Sequence, residues 1–268
     1  MLLAFTCTAS TQTAAPIQLT PVGATLQTIT AVSDVSRKTT AATPTAKPTP
    51  TEAAPTATTA AAATPGQPVS ATAVAVSPDG RIVVAVNPDS DSVTVLDAES
   101  LQILNEIPVG DDPRTLAIAP DSQSALVANH AGATLSLLDL SQLLEAGSYA
   151  VGSMPYGVVT DGARAFVSEL ARGNVNVLNW STGELLARIT VAPFPTGLAL
   201  SADRASLYVT HLFSGRVTLI DTRSLEVKAN ITTGASTNLS QFVAISPNGD
   251  KAYLPQTRSN VTNTAMLF

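Results

Sequence analysis

One spacing recurs through the last two hundred residues and limits what they can build. Turn-forming residues recur in Ser77-Pro78-Asp79-Gly80, Ala119-Pro120-Asp121-Ser122, Thr160-Asp161-Gly162, Ser201-Ala202-Asp203-Arg204 and Ser246-Pro247-Asn248-Gly249. The steps from Asp79 through Asp121, Asp161 and Asp203 to Asn248 are 42, 40, 42 and 45 residues. Asp97, Asp139, Asn179 and Asp221, each closing a short apolar run, step by 42, 40 and 42. Pro113, Pro155 and Pro195 repeat at 42 and 40. Three markers with one period define an internal repeat, and periods of this length belong to solenoids or propellers.

Each unit contains four strand-like runs, in the fourth unit residues 196–200, 206–210, 216–220 and 225–231. Alternation such as Val74, Val76, then Ile82, Val84, Val86 places one strand face against a neighbour. Proline presets φ in the intervening turns, glycine accepts a positive φ, and aspartate accepts from backbone N–H groups two residues on. The expected fold is all-β: a β-propeller of four-stranded antiparallel blades, four complete and part of a fifth, over residues 69–268.

The run Tyr208-Val209-Thr210-His211, followed by Ser214-Gly215-Arg216-Val217-Thr218-Leu219-Ile220-Asp221-Thr222, resembles the YVTN-type β-propeller repeat, with His211 where the motif carries Asn. Val109-Gly110 before Pro113, and Ala75-Val76-Ser77-Pro78-Asp79-Gly80, match the rest of that unit. The Gly-His and Trp-Asp marks of WD40 arrays are absent. Family propellers commonly carry about seven blades. The fifth unit here begins at Gln241 and stops at Phe268, near its third strand, so the expectation is a propeller cut short at its C-terminus.

Upstream the composition changes. Residues 39–68 hold ten Thr, ten Ala and six Pro in 30 positions, too few large apolar groups to offset chain entropy. Residues 8–68 read as a disordered, semi-stiff Thr/Ala/Pro stalk. Residues 1–7, Met-Leu-Leu-Ala-Phe-Thr-Cys, read as the end of a signal peptide or lipobox, with Cys7 as lipidation candidate and an extracellular or cell-surface location. No run of 18 apolar residues occurs. The single cysteine excludes a disulfide framework. A net charge of −6 speaks against nucleic acid as a partner, because phosphate binding needs an excess of Lys and Arg.

Function is expected where the units differ on one face. The second strands end on Asn87, Asn129, Glu169, His211 and Gln256, a polar ring aimed at the channel mouth. His130 follows Asn129, and the linking loops add Asp111, Asp112, Arg114, Met154, Tyr156, Phe194 and Asn238. Such a ring suits a protein or a small polar ligand, and the alternative is a set of solvated loop ends. His130, His211 and Glu169 have metal-ligating chemistry but lie out of register, and the acidic group Asp89, Asp91, Asp111 and Asp112 lacks the order of a calcium loop, so no metal or other cofactor is assigned. No Gly-x-Ser-x-Gly elbow occurs and no catalytic residue is assigned. The reading is a binding scaffold without chemistry of its own, with a membrane reached only through a lipid anchor. The alternative is a lactonase-like or redox-associated propeller with its catalytic or haem domain beyond the C-terminus, for which Glu169, His211 and Arg258 are the candidate residues.

Overall fold

The computed structural model describes residues 68–233, 240–249 and 251–255, and the backbone alone at 237–238 and 258–259. Cys7, all of the stalk but Pro68, and Gln256 lie outside the described residues. Among these residues there is no α-helix; a 3-10 turn at Pro88–Ser90 is the one helical element.

The strands run in chain order. After β1 (Val69–Ser70), blade I is β2 (Val74–Val76), β3 (Ile82–Asn87), β4 (Ser92–Asp97) and β5 (Ile103–Pro108). Blade II is β6 (Pro113–Ile118), β7 (Ser124–Asn129), β8 (Thr134–Asp139) and β9 (Leu144–Ala150). Blade III is β10 (Pro155–Thr160), β11 (Arg164–Glu169), β12 (Asn174–Asn179) and β13 (Leu185–Thr190). Blade IV is β14 (Pro195–Leu200), β15 (Ser206–His211), β16 (Ser214–Asp221) and β17 (Val227–Thr232). The start of a fifth supplies β18 (Thr237–Asn238), β19 (Ala244–Ile245), β20 (Ala252–Tyr253) and β21 (Arg258–Ser259). Blades I to IV are each antiparallel with their four strands ordered as in sequence, as the repeat predicts, whereas in the fifth unit β19 pairs with β20 and β18 with β21.

In blades II to IV burial falls from the first strand to the fourth, whereas β2 of blade I exposes Val74 and Val76. Every residue of β14 is buried, whereas β17 has none. The first strand of blade IV has a neighbour on both sides, so Gly197-Leu198-Ala199-Leu200 is apolar without alternation. The outer strands of blades I and III each keep one buried residue, Ile107 and Ile189. Side chains of opposite parity on one strand face opposite seams. On β7, Ala125 and Val127 join Val84, Val93 and Val95 of blade I, whereas Leu126 and Ala128 join Val158, Ala165 and Val167 of blade III. Phe166 and Val177 meet Leu198, Leu207 and Val209 between blades III and IV.

The turns follow the predicted chemistry. Oδ1 of Asp97, Asp139, Asn179 and Asp221 accepts backbone N–H groups two and three residues on. The next residue but three after the Asp is then left-handed: Leu101, Leu143, Gly183 and Leu225 have φ of 59°, 55°, 69° and 60°. At the other turns Gly80 and Gly162 take positive φ, and Ser122 and Arg204 do so where the repeat lacks glycine.

Hydroxyls stitch one blade to the next. Thr115 Oγ1 donates to the Tyr156 carbonyl at 2.6 Å, Ser168 Oγ to that of Thr196 at 2.7 Å, and Thr196 Oγ1 to that of Ser240 at 2.8 Å. Ser168 Oγ also accepts from Gly157 N–H at 2.8 Å, inside the bulge that shifts β10 against β11. Ser168→Ala strands that buried N–H and removes the stitch, so about 1–3 kcal/mol of stability should be lost in urea unfolding.

β1 does not belong to blade I. Val69 pairs with Leu200 and Ser70 with Ala199 on β14, Ala71 N–H donates to the Leu198 carbonyl, and Thr72 bridges to Leu116 on β6. The short arm thus lies against the first strands of blades IV and II, with Ala71 buried among Val159, Leu198 and Leu200.

Candidate functional site

The ends of β3, β7, β11 and β15 lie against the linking loops, but their side chains are not a solvated ring. Asn129, Glu169 and His211 are 0%, 1% and 0% exposed, and Asn87 is half-buried. Each reaches the residue seven positions on, its neighbour on the third strand. Asn87 Nδ2 donates to Thr94 Oγ1 at 2.8 Å and Asn129 Nδ2 to Ser136 Oγ at 2.9 Å. Glu169 Oε2 accepts from Asn176 Nδ2 at 3.4 Å, and His211 Nε2 lies 2.8 Å from Thr218 Oγ1.

The same groups hold the loop arriving from the preceding blade. Ser136 Oγ accepts Gly110 N–H at 3.3 Å, Asn176 Nδ2 donates to the Val151 carbonyl at 2.7 Å, and Glu169 Oε1 accepts Ser153 N–H at 3.0 Å. His211 Nδ1 lies 3.2 Å from the Pro193 carbonyl. The fit is tight enough to demand small residues opposite. A Cβ on Gly110 would stand 2.6 Å from Asn129 Nδ2, and one on Gly152 2.5 Å from Glu169 Oε1. The repeat places Ala192 at the corresponding position opposite His211. These side chains form latches between strand and linker. A sequence signal for them exists in the pairs 87/94, 129/136, 169/176 and 211/218, all polar, one turn residue set apart from the markers used above.

Burial holds the His211 imidazole below its ordinary value, helped by Arg216 and opposed by the Pro193 carbonyl. A carbonyl only accepts, so the neutral ring carries its proton on Nδ1. The unfolded chain takes up a proton near pH ~6.5 and the folded chain does not. Stability should therefore be level above that pH and fall as pH is lowered through it. His211→Gln should flatten this slope, read as urea midpoints across mildly acidic pH.

What the face exposes is different. Asp112, Met154 and Phe194 precede the three prolines with φ of 55°, 58° and 57°, a left-handed conformation unusual for such residues. Their carbonyls accept N–H from His130, Leu170 and Leu212, the residues just after the second strands. The loops are thereby fixed with their side chains outward. Arg114 pairs with Asp112 at 2.8 Å, and Asp111 is exposed. His130 is half-buried, edge-on to Tyr156 at 5.9 Å, and burial pushes the Tyr156 hydroxyl up. Phe194 and Phe213, 40% and 60% exposed, meet edge to face at 4.9 Å. Beside them Leu170, Arg172, Gly173, Val191 and Pro193 line a cleft of about 270 Å³ between the β11–β12 loop and the linker that leaves β13. Arg172 reaches from its rim to Glu169, with Nε 3.4 Å from Oε1.

The structure thus separates the expected site into two sets. Asn87, Asn129, Glu169 and His211 are latches. Asp111, Asp112, Arg114, His130 and Tyr156 remain on the outer surface, and Phe213 and Arg172, which sequence reasoning passed over, complete it. Asn238 and Arg258 are described by backbone alone. Among the described residues no group of three or more His, Cys, Asp or Glu side chains is placed to hold a cation, and none forms a helix long and apolar enough to cross a membrane.

Comparison with known proteins bears on the architecture. The family described as "Lactonase, 7-bladed beta-propeller" matches residues 30–148. Among solved structures, Kuenenia stuttgartiensis hydrazine synthase is 24% identical with a TM-score of 0.63, over 71% of this chain and 58% of that one. The β-propeller domain of Myceliophteria thermophila Cps50 (Swd1) is 13% identical with a TM-score of 0.60, over 70% of this chain and 62% of that one. The chain spans less than two thirds of either structure. No curated protein matches it. At these identities the likeness speaks for fold alone. With repeating four-stranded blades, a propeller-family match and propeller neighbours, the chain is a β-propeller protein.

Proposed function

We propose that this chain is an exported, surface-held propeller of YVTN type that binds a partner on its linker face without catalysis of its own. On this reading the Thr/Ala/Pro tract is a stalk, lipid-anchored at Cys7. The observation that carries the binding role is the exposed Phe194–Phe213 pair beside the cleft, with Arg172 at its rim. Aromatic and arginine side chains dominate the energetics of protein contacts, and here rigid loops present them. The polar groups that would serve acid–base chemistry, Glu169 and His211, are occupied as latches.

A photocrosslinking side chain at Phe213 in the exported protein should give one discrete adduct on intact cells. That adduct should be lost with Phe194→Ala plus Arg172→Ala. A labelling pattern indifferent to those changes counts against the linker face. Mass spectrometry of the mature N-terminus tests acylation of Cys7.

The match to a lactonase family over residues 30–148 favours one second reading, lactone hydrolysis. Proton release from a panel of γ- and δ-lactones discriminates: the scaffold reading expects none above background. Turnover abolished by His211→Ala would instead support the enzyme.

A further inference from the structure

The linker face is built from the same parts in every unit, yet its charge is not the same from blade to blade. Each unit contributes the loop after its second strand and the linker after its fourth. In blade I these are residues 88–91 and 109–112, which carry Asp89, Asp91, Asp111 and Asp112 and no cation. In blade II they are residues 130–133 and 151–154, without Asp, Glu, Lys or Arg. In blade III they are residues 170–173 and 191–194, and Arg172 is the single ionisable residue. One position of the repeat is thus acidic in blade I and basic in blade III, a reversal that the turns themselves do not require.

In blade III the two segments also enclose the cleft of about 270 Å³, where Leu170, Val191, Pro193 and Phe194 supply apolar walls. Those walls are fixed. Arg172 and Gly173 N–H turn back on the Glu169 carbonyl at 3.3 and 3.1 Å, and the Gly173 carbonyl accepts Val191 N–H at 2.9 Å. Arg172 Nε lies 3.4 Å from Glu169 Oε1, which also accepts Ser153 N–H. Neither terminal nitrogen of Arg172 donates a hydrogen bond to a described residue, and its side chain is 60% exposed. A guanidinium carries five N–H donors in a planar fork, so the Nη edge is left for a second carboxylate. Drug-sized ligands occupy cavities of about 300–1,000 Å³, and this smaller one suits a single large side chain.

We infer that the partner of this face presents an acidic peptide segment. One large aliphatic side chain seats in the cleft, and the carboxylate of an adjacent Glu or Asp lies on the Nη edge of Arg172. The inference rests on the linker face being a binding surface and names the chemistry that surface selects. The aspartates of blade I repel such a segment from the corresponding place, so Arg172 decides which blade is engaged.

Two acetylated, amidated peptides, Gly-Glu-Leu-Glu-Gly and Gly-Gln-Leu-Gln-Gly, titrated into the 268-residue protein test this. Binding is read from the amide NMR shifts of Leu170, Gly173, Val191 and Phe194. The Glu peptide should bind about tenfold more tightly than the Gln peptide, and the difference should shrink as salt is raised. With Arg172→Gln the two peptides should bind alike, and Arg172→Lys, which keeps the charge, should restore part of the preference. Phe194→Ala should weaken both peptides equally. A loop merely disturbed by the loss of Arg172 would lower both affinities and keep their ratio. Equal binding of the two peptides by the wild type, a preference that survives Arg172→Gln, or no binding up to several millimolar each overturns the inference. The Phe213 photoadduct then judges the wider reading. An adduct that still forms, and is lost with Phe194→Ala plus Arg172→Ala, leaves the linker face a binding surface for a partner of other chemistry. Its absence removes both.

Discussion

Phe166→Ala should be the most costly single truncation in the protein, about 3–5 kcal/mol. The ring is fully buried in the seam between blades III and IV, among Val159, Val175, Leu198 and Leu207. The Arg164 guanidinium lies 5.1 Å from its centroid, adding a cation–π contact. Arg164 is itself tied to Asp161 at 2.6 Å and to the Thr222 carbonyl at 2.8 Å, so neighbouring groups are not free to collapse into the cavity. Urea unfolding should show the midpoint falling with little change in slope, the sign of lost stability rather than an altered unfolded state. Phe166→Leu, retaining most of the volume, should recover a large part of the loss. A midpoint for Phe166→Ala within experimental scatter of the wild type would mean that this seam does not hold the blades together.

Gly157→Ala should cost about 3 kcal/mol although it adds one methyl group. A Cβ there would overlap the Thr196 carbonyl oxygen of the next blade and come within 3.2 Å of both Leu198 Cγ and Ser168 Oγ. A carbonyl in a β-strand cannot step aside as a flexible side chain does, so blade IV must move or the Ser168–Thr196 stitch must break. Overpacking of this kind costs about 1–3 kcal/mol, and a stranded buried polar group about 1–3 more. Gly147→Ala is the control. A Cβ at Gly147 meets nothing within 4 Å, and its unfolding midpoint should stay within about 0.5 kcal/mol of wild type. Equal behaviour of the two variants would show that the strands are not this close.

The repeat made the architecture legible because its markers lie where backbone geometry leaves few choices. An aspartate that accepts two successive N–H groups and a residue at positive φ recur wherever the strand-to-strand turn does. Asp97, Asp139 and Asp221 accordingly have lowered carboxyl pKa values through hydrogen bonds to Ser100, Ser141 and Lys228 respectively. Strand parity was legible at Ile82, Val84 and Val86, which pack toward blade II, but not at Val74 and Val76, expected on a buried face and found 54% and 58% exposed. The site was less so. Asn129, Glu169 and His211 are polar residues at strand ends, where exposure is the ordinary expectation. Their burial depends on partners that only the fold brings within reach, such as Gly110, Ser153 and the Pro193 carbonyl. Phe213 escaped notice because it sits in a tight turn without a counterpart in the other units, and its meaning comes from Phe194, nineteen positions earlier.

The seating of Val69–Thr72 has a consequence for the order of synthesis. These residues leave the ribosome ahead of every blade, yet Val69 and Ser70 pair with a strand made about 130 residues later. At ~5–20 residues per second the arm waits roughly 7 to 26 seconds for β14. Blades I to III can collapse behind it as they emerge, but the place where it rests is assembled last among them. Export in an extended state, before any of these pairings form, would let the arm and its distant partner meet in the same compartment at the same moment.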